Sequence, residues 1–213
     1  VVFLASMAFV SATSITDGLE AYYKLDETTG LVATDFSGNG NDGTMEGYTF
    51  NHGVINGGVT IEDGAMVFDG IDDYVNISHN DSLVNNEMTW GFWVKRNSYG
   101  SLGGFISKYG LGANERGWGI HQSSLSNSQL SIVVSADGAT GQEIHSSTGL
   151  LSNDVWIYIN VTYNAGVIKF YRNGVQYGTT QTSTQTSIYN NSTVNVNLGR
   201  RINVYFDGSL DDV

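Results

Sequence analysis

The feature that most constrains the fold is a segment in which apolar side chains recur at every second residue before a tight-turn dipeptide. In Trp156–Tyr163, isoleucine, valine and tyrosine alternate with a second set that includes the polar Asn160 and Thr162. Successive side chains of a strand point to opposite faces, so this period of two predicts a strand with one buried face. Asn173-Gly174 then separates two further apolar runs and predicts a β-hairpin, because both residues accept positive φ.

Short apolar runs bounded by turn residues recur along the rest of the chain. Two of them, Ala65–Phe68 and Tyr74–Ile77, flank an acidic turn at Asp69–Asp73. Met88–Lys95 is apolar on both faces, which predicts a central strand covered on both sides and a buried Trp93. The 27 glycines and 12 tyrosines favour many turns with aromatic packing. The fold predicted is all-β, one two-sheet antiparallel β-sandwich (a jelly roll) over residues 17–213.

Charge and cysteine content exclude several classes of function. The net charge of −12, with only 9 lysines and arginines, repels phosphate backbones and anionic lipid headgroups, so no nucleic-acid partner is expected. The absence of cysteine excludes disulfides and thiolate metal sites.

Residues 1–16 form a separate, largely apolar N-terminal segment that is predicted to lie outside the sandwich. Three interpretations are open: the tail of a signal peptide, the end of a longer apolar anchor or filament helix, or a strand that inserts into a neighbouring copy. All three favour an extracellular or cell-surface location.

Several segments resemble, in the same order, the laminin-G-like domains of the concanavalin A-like lectin/glucanase superfamily. These segments are Leu19–Glu27, Asp35–Gly43, Val67–Val75, Met88–Lys95, Trp156–Tyr163, the Asn173-Gly174 hairpin and Phe206–Val213. The resemblance implies a jelly roll, usually within a secreted or surface protein, with carbohydrate or protein binding as the usual role and often a structural calcium ion. In that family a further strand normally follows the last segment, so we expect either a fragment or an edge completed by another segment.

A calcium site is expected in the first polar loop. Asp35, Ser37, Asn39 and Asn41 carry oxygen atoms at alternate positions between glycines, and calcium takes several converging oxygen ligands. The resemblance adds Asp211 as a distal carboxylate, so the predicted calcium ligands are Asp35, Asn39, Asn41 and Asp211. The alternative is that the loop residues are turn-formers that hydrogen-bond their own backbone.

A glycan would contact aromatic rings that are exposed beside polar groups. The ligand-binding candidates are Tyr99, Tyr109, Trp118 and His121, in or beside a glycine-rich stretch. The alternative is that these rings pack in the core. No enzyme is predicted, because the Glu-x-Asp-x-x-Glu strand of the glucanase branch does not occur in the sequence.

Five acceptor sequons are further surface candidates. The predicted glycosylation sites are Asn76, Asn80, Asn160, Asn190 and Asn191. The function predicted is a non-catalytic extracellular binding or adhesion module for a carbohydrate or a surface glycoprotein. The alternative is a structural subunit of a filament or sheath, a homo-polymer assembled through the N-terminal segment.

Overall fold

The computed structural model describes residues 18–47, 49–51, 54–56, 60–62, 64–97 and 103–213. Within them the chain forms twenty short strands and one 3₁₀-helix, Asp81–Leu83. The strands are β1 (Val32–Ala33), β2 (Gly43–Glu46), β3 (Thr49–Asn51), β4 (Val54–Asn56), β5 (Thr60–Glu62), β6 (Ala65–Asp69), β7 (Tyr74–Ile77), β8 (Glu87–Arg96), β9 (Gly104–Tyr109), β10 (Arg116–Gln122), β11 (Leu130–Val134), β12 (Gln142–His145), β13 (Ile157–Asn164), β14 (Val167–Arg172), β15 (Val175–Gln176), β16 (Gln181–Thr182), β17 (Val196–Leu198), β18 (Arg200–Arg201), β19 (Val204–Tyr205) and β20 (Asp207–Asp211).

Most of these strands belong to two antiparallel sheets, which confirms the predicted all-β sandwich. The first sheet has the order β1-β2-β7-β17-β9-β10-β11-β12. The second has the order β15-β14-β13-β8-β20-β6-β5, with β16 paired to β14. The hairpins β3–β4 and β18–β19 form two further small sheets. In the described part of the chain, no helix has the length and apolar character needed to cross a bilayer.

Strand β13 and the turn after β14 match their sequence patterns. The apolar set that begins at Ile157 is buried at every second position, and the residues between are half-buried or exposed. Asn173 and Gly174 adopt φ angles of 51° and 80° and connect β14 to β15. The Asn173 side chain also accepts a hydrogen bond from the Tyr158 backbone N–H at 2.9 Å. The predicted hairpin is therefore confirmed, and its turn is hydrogen-bonded to the neighbouring strand β13.

Aromatic rings from the two sheets meet in the core. The rings of Trp90 on β8 and Trp118 on β10 have centroids 4.9 Å apart. Phe105 on β9 contacts Phe92 on β8 at 5.6 Å and Phe206 at 5.1 Å. Separations of about 4.5–7 Å are favourable for tilted aromatic pairs. These contacts fix which strands of the two sheets face each other.

The expectation that both faces of β8 are buried is wrong for its outer face. Trp93 is 37% exposed, and its ring lies 5.3 Å from that of Tyr158 on the neighbouring strand β13. No further described layer packs over this face of the second sheet, and the cross-strand tyrosine covers part of the indole instead. The apolar side chains on both faces of β8 therefore do not mean that other residues cover both faces.

The segment Leu19–Glu27, one of those that resemble laminin-G-like domains, is irregular apart from a bridge between Tyr23 and Asp35. The Tyr23 backbone also exchanges two hydrogen bonds with Val213, at 2.8 and 2.9 Å. This segment therefore lies beside the end of β20. The predicted N-terminal segment, residues 1–16, lies outside the described residues, so assembly through it stays a prediction.

The hairpin β18–β19, here called the Arg hairpin (residues 200–205), lies against the outer face of the first sheet. The Ser107 hydroxyl donates to the Arg200 carbonyl at 2.7 Å. A Cβ atom on Gly104 would lie 2.5 Å from the Arg201 Cβ, so only a residue without a side chain allows this approach. The Arg hairpin thus covers part of a sheet face that would otherwise be open.

Candidate functional site

Three neighbouring strands of the first sheet turn a set of polar residues away from the core. Ile120, Ile132 and Ile144 pair across β10, β11 and β12 and are buried between the sheets. The residues that alternate with them point to the outer face because side chains along a strand alternate. That face carries the row His121, Ser131 and His145 and the neighbouring row Gly119, Val133 and Glu143.

His121 and Glu143 form the centre of this face. Their Nε2 and Oε1 atoms are 2.9 Å apart, and the side chains are 2% and 31% exposed. His145 Nδ1 lies 3.9 Å from the same carboxylate oxygen. It is also within hydrogen-bond distance of the hydroxyls of Ser131, at 2.7 Å, and Ser123, at 2.9 Å. A partly exposed carboxylate is thus held between two histidines.

Arg201 of the Arg hairpin completes the group. Its guanidinium carbon lies 4.9 Å from the centre of the Tyr109 ring, a distance at which a cation is attracted to an aromatic face. Its Cδ lies over Gly119 and would be 3.7 Å from a Cβ atom there, an ordinary contact distance. We call Tyr109, His121, Glu143, His145 and Arg201 the polar cluster.

The pKa shifts in the polar cluster follow from its hydrogen bonds and burial. The hydrogen bond with His121 lowers the pKa of Glu143 to about 2, although burial opposes this shift. Burial lowers the pKa of His121, against the opposite effect of Glu143. At neutral pH, Glu143 is therefore ionised and accepts a hydrogen bond from the neutral imidazole. Burial also lowers the pKa of Arg201, which Glu143 and Tyr109 counteract.

Two buried polar atoms of the cluster have no hydrogen-bond partner among the described residues. They are Nδ1 of His121 and Nε of Arg201. With Nε2–H donated to Glu143, His121 Nδ1 is an acceptor, whereas Arg201 Nε–H is a donor. Because both atoms are buried, they do not add a donor or an acceptor for a ligand at the surface. Buried polar atoms of this kind are uncommon in folded proteins.

The structure separates the residues that were predicted to contact a ligand. Tyr109 and His121 lie together in the polar cluster. Trp118 points to the other side of β10, where its ring is 2% exposed and its Nε1 donates to the Leu83 carbonyl at 3.3 Å. A surface ligand cannot reach that ring because it is enclosed between the sheets. Tyr99 lies outside the described residues.

Glu143, His145 and Arg201 were missed by the sequence analysis. Glu143 and His145 alternate with Ile144, a signal that places them on an outer face but does not identify their neighbours. Their contact with His121 depends on the register of β10, β11 and β12. Arg201 reaches the cluster only because the Arg hairpin folds over the sheet, for which the sequence has no clear pattern.

The first polar loop uses its oxygen atoms to hold its own backbone. Asp35 Oδ1 accepts from the N–H groups of Tyr22 at 3.0 Å and Ser37 at 2.9 Å, and Oδ2 accepts from Asn41 N–H at 2.9 Å. Burial raises the pKa of Asp35, but these hydrogen bonds outweigh it and the net pKa is lowered. Asn39 donates to the carbonyl groups of Leu19 and Glu20 at 2.8 and 3.1 Å.

These contacts are the ones expected from turn-forming residues. The Asn41 amide is committed as well, because Nδ2 donates to the Glu20 carbonyl and Oδ1 accepts from Asn80, each at 2.8 Å. Asp211 lies on the second sheet, paired with Trp93 on β8, and burial raises its pKa. The donor set therefore does not fit a bound ion closely, and calcium at Asp35, Asn39, Asn41 and Asp211 stays a prediction.

A different acidic group is compact enough to share one ion. Among the described residues, Asp69, Asp72 and Asp73 each offer a carboxylate oxygen, and these oxygens lie within 4.8 Å of one another. Asp73 is fully buried, and burial, with the charges of Asp69 and Asp72 added, raises its pKa to about 7.

The predicted glycosylation sites lie at the surface or at half-buried positions. Asn80 and Asn190 are exposed, whereas Asn76, Asn160 and Asn191 are half-buried. The Asn190 amide donates to Asp81 at 2.7 Å, and the Asn160 amide donates to the Tyr158 hydroxyl at 3.2 Å. Attachment of a glycan at any of the five stays a prediction.

The outer face of the second sheet carries a contrasting group, here called the aromatic face: Trp93, Tyr158 and Asn160. Trp93 pairs with Tyr158, and Asn160 pairs with Gly91. A Cβ atom on Gly91 would lie 2.8 Å from both the Asn160 amide nitrogen and the Tyr158 hydroxyl, so glycine lets these two groups lie flat over β8.

Comparison with known proteins places this geometry in context. A sequence family described as the concanavalin A-like lectin/glucanases superfamily matches residues 69–213. A search of curated proteins gives no significant match.

Solved structures share the fold at low sequence identity. Domain 4 of AbnA, a GH43 extracellular arabinanase from Geobacillus stearothermophilus solved in complex with arabinotriose, is 20% identical with a TM-score of 0.65, over 91% of this chain and 89% of that one. The receptor-binding domain of botulinum neurotoxin C/D mosaic serotype is 14% identical with a TM-score of 0.60, over 92% and 48%. The serotype G binding domain is 16% identical with a TM-score of 0.62, over 90% and 46%. The chain spans about half of the length of these neurotoxin domains.

Proposed function

Because the chain belongs to the concanavalin A-like lectin/glucanase superfamily, we propose that it is a carbohydrate-binding module whose polar cluster holds an oligosaccharide. The fold alone does not identify a function, since one fold carries many different sites. The proposal therefore rests on the chemistry of the polar cluster.

The observation that carries the proposal is a partly exposed, ionised Glu143 fixed between His121 and His145 beside an arginine stacked on an aromatic ring. Sugar hydroxyls both donate and accept hydrogen bonds. The Glu143 carboxylate accepts, the Arg201 guanidinium donates, and the partly exposed His145 imidazole does either, so these groups match a polyhydroxylated ligand. The buried His121 holds Glu143 in position. The Tyr109 ring and Val133 are buried beside these groups and help to hold them in place.

The similar fold of the arabinanase domain supports the class of ligand. That domain is described in complex with arabinotriose, and it matches this chain over most of both lengths. At 20% identity the match extends to the fold and does not carry individual contacts across. Arabino-oligosaccharides are therefore the first probes, within a wider panel.

The module is proposed to be non-catalytic. Glycosidases place two carboxyl groups about 5–9.5 Å apart across the scissile bond. Within the polar cluster the described partners of Glu143 are His121, His145 and Arg201 rather than a second carboxylate. The low pKa of Glu143 also keeps it ionised at neutral pH, which does not suit a general acid.

The proposed place of action is outside the cell, on a polysaccharide or a surface glycoprotein, in an adhesive role. The arabinanase whose domain resembles this chain is described as extracellular. A net charge of −12 disfavours anionic polymers, so neutral glycans are the expected class.

The test is binding of the full chain to a panel of neutral oligosaccharides that includes arabinotriose, measured by glycan array and then by calorimetry. We expect at least one saccharide to bind the wild type and Glu143→Gln to weaken that binding at least tenfold. The matched control is Glu87→Gln, at an exposed position on the second sheet, which should bind as the wild type does. Absence of binding to every saccharide, or equal binding by Glu143→Gln, would contradict the proposal.

A further inference from the structure

The turn between β6 and β7 gathers three carboxylates at one end of the sandwich. This acidic turn (Asp69–Asp73) passes from the second sheet to the first. One carboxylate oxygen each of Asp69, Asp72 and Asp73 lies within 4.8 Å of the others. Calcium binds oxygen at about 2.3–2.6 Å, so two oxygens on one ion are at most about twice that distance apart. The spacing of the three carboxylates is therefore within the range for shared coordination.

An acidic cluster alone does not make a site, and the second observation is the state of Asp73. Its side chain is 0% exposed, and Oδ2 accepts from the Asp69 backbone N–H at 3.0 Å. Oδ1 is buried and has no hydrogen-bond partner among the described residues. A buried charged oxygen without a partner costs several kcal/mol in general. Its position among two further carboxylates calls for a positive ligand.

The backbone beside Asp73 adds a fourth oxygen. A Cβ atom on Gly47 would lie 2.7 Å from Asp73 Oδ1 and 2.8 Å from the carbonyl oxygen of Asp72. Both oxygens therefore face Gly47, at distances that a side chain there could not accept without a shift. Gly47 also has a φ of +97°, a conformation that favours glycine.

Within the described part of the chain, no ion pair is found that neutralises this group. The ion pairs of His79, His121 and His145 do not include Asp69, Asp72 or Asp73. Three carboxylates at this spacing repel one another when all are ionised. A bound cation, or a proton taken up by the buried Asp73, would therefore relieve this repulsion.

We propose that the acidic turn binds one calcium ion, through carboxylate oxygens of Asp69, Asp72 and Asp73 and the carbonyl oxygen of Asp72. Asp69 Oδ1 also accepts a hydrogen bond from the Ile71 N–H at 2.7 Å, so Asp69 is the least free of the three carboxylates. Calcium takes 6–8 oxygen ligands in flexible geometry, whereas magnesium needs a near-ideal octahedron at about 2.0–2.1 Å and keeps most of its water. A turn that offers several carboxylates and a carbonyl suits calcium better. Water completes the coordination because Asp69 and Asp72 are exposed.

A bound ion at this place would stabilise the base of the Arg hairpin. Asp69 pairs with Asp207, which is two residues after the end of the hairpin. Tyr74, the next residue after Asp73, lies under the Arg200 guanidinium with 4.2 Å between the guanidinium carbon and the ring centre. The ion would thus stabilise the turn between β6 and β7, beside the segment that carries Arg201.

Calcium binding is tested directly, without any saccharide, so its failure is separate from a failure of the proposed function. Chelator-treated wild type is titrated with calcium chloride by calorimetry, with magnesium chloride as a second titrant, and thermal unfolding is followed by circular dichroism with and without calcium. The variants are Asp73→Asn, which keeps the shape of the buried side chain, and Asp72→Asn, which changes an exposed residue. The controls are Glu87→Gln on β8 and Asn39→Ala in the first polar loop.

We expect calcium to bind the wild type and both controls, to raise their unfolding temperature, and to bind much more tightly than magnesium. Asp72→Asn should bind at least tenfold more weakly, and Asp73→Asn should lose both the binding and the shift in unfolding temperature. If Asp73→Asn does not fold, the exposed Asp72→Asn variant decides. No calcium binding by the wild type, binding by Asp72→Asn as tight as that of the wild type, loss of this binding in Asn39→Ala, or equal affinity for magnesium would overturn the proposal.

Discussion

The two outer faces of the sandwich differ in chemistry although both belong to antiparallel sheets that share one core. The outer face of the first sheet carries the polar cluster, in which charges and hydrogen bonds link three strands and the Arg hairpin. The aromatic face of the second sheet carries Trp93 stacked on Tyr158, with no ion pair among its three described residues. A sheet face can thus be specialised either by a network of charged groups or by exposed aromatic area.

Trp118 on the first sheet and Trp93 on the second show why the inner and outer faces are hard to predict. Trp118 was predicted to contact a ligand and lies in the core, whereas Trp93 was predicted to be buried and lies on the aromatic face. Both expectations rested on the composition of the neighbouring sequence. Glycine-rich or apolar neighbours in sequence do not identify which side of a strand faces the core. The inner side is set by the strands across the core, here through the contact between Trp90 and Trp118.

The largest expected effect is a difference in the free energy of unfolding between the alanine variants of these two tryptophans. Trp118→Ala removes a ring that is packed on Trp90 and should lower the free energy of unfolding by about 3–5 kcal/mol. Trp93→Ala, at a partly exposed position, should cost about 1 kcal/mol or less. Urea unfolding followed by fluorescence measures both, and equal losses would contradict the assignment of Trp93 to an outer face.

The next effect separates the two faces as sites for a saccharide. Arg201→Ala removes the guanidinium from the polar cluster and should weaken the binding of the best saccharide of the panel at least tenfold, about 1.4 kcal/mol. Trp93→Ala should leave that affinity within about twofold, since its ring lies on the other side of the molecule. Calorimetry on the two variants checks this, and the reverse order would transfer the proposed function to the aromatic face.

The polar cluster should also contribute to the pH dependence of stability, together with the lowered pKa of Asp35 and the raised pKa of Asp73, which acts in the opposite direction. Burial lowers the pKa of His121 from 6.5, so the unfolded chain takes up a proton more readily and stability falls as the pH falls below about 6.5. The pKa of Glu143 is lowered from 4.5 to about 2, so a second loss follows as the pH falls from 4.5 toward 2.

The measurement is urea unfolding at a series of pH values. Glu143→Gln should reduce the loss of stability that begins near pH 4.5, and Trp93→Ala should keep the wild-type profile. A Glu143→Gln profile parallel to that of the wild type across the acid range would show that the His121–Glu143 hydrogen bond does not carry the effect.

The smallest effect concerns the polar contact of the aromatic face. Asn160→Ala removes one hydrogen bond to the Tyr158 hydroxyl at a half-buried position and should change the free energy of unfolding by about 0.5 kcal/mol or less. A loss of several kcal/mol would mean that this face contains a cooperative polar network like that of the first sheet.

Much of the fold follows from periodicity in the sequence. The alternation in β13 and the Asn173-Gly174 turn specify a strand and a hairpin locally, because each depends on backbone preferences of a few adjacent residues. The segment at Leu19–Leu25 was less predictable, since its one bridge and its pairing with Val213 depend on distant residues.

The candidate site was predicted only in part. His121 and Tyr109 were identified as polar and aromatic groups, but their partners Glu143, His145 and Arg201 come from β12 and the Arg hairpin. These residues come together through the register of the strands and the path of the Arg hairpin over the sheet. Neither can be predicted from the local sequence.

The most direct test of the account is a titration of ¹⁵N-labelled protein with the tightest-binding saccharide of the panel, followed by NMR chemical shifts. The account predicts that the largest shifts fall on the backbone amides of His121, Glu143 and Arg201, with the Trp93 indole N–H unchanged. Shifts concentrated at Trp93 and Tyr158 would contradict the assignment of the glycan site to the polar cluster.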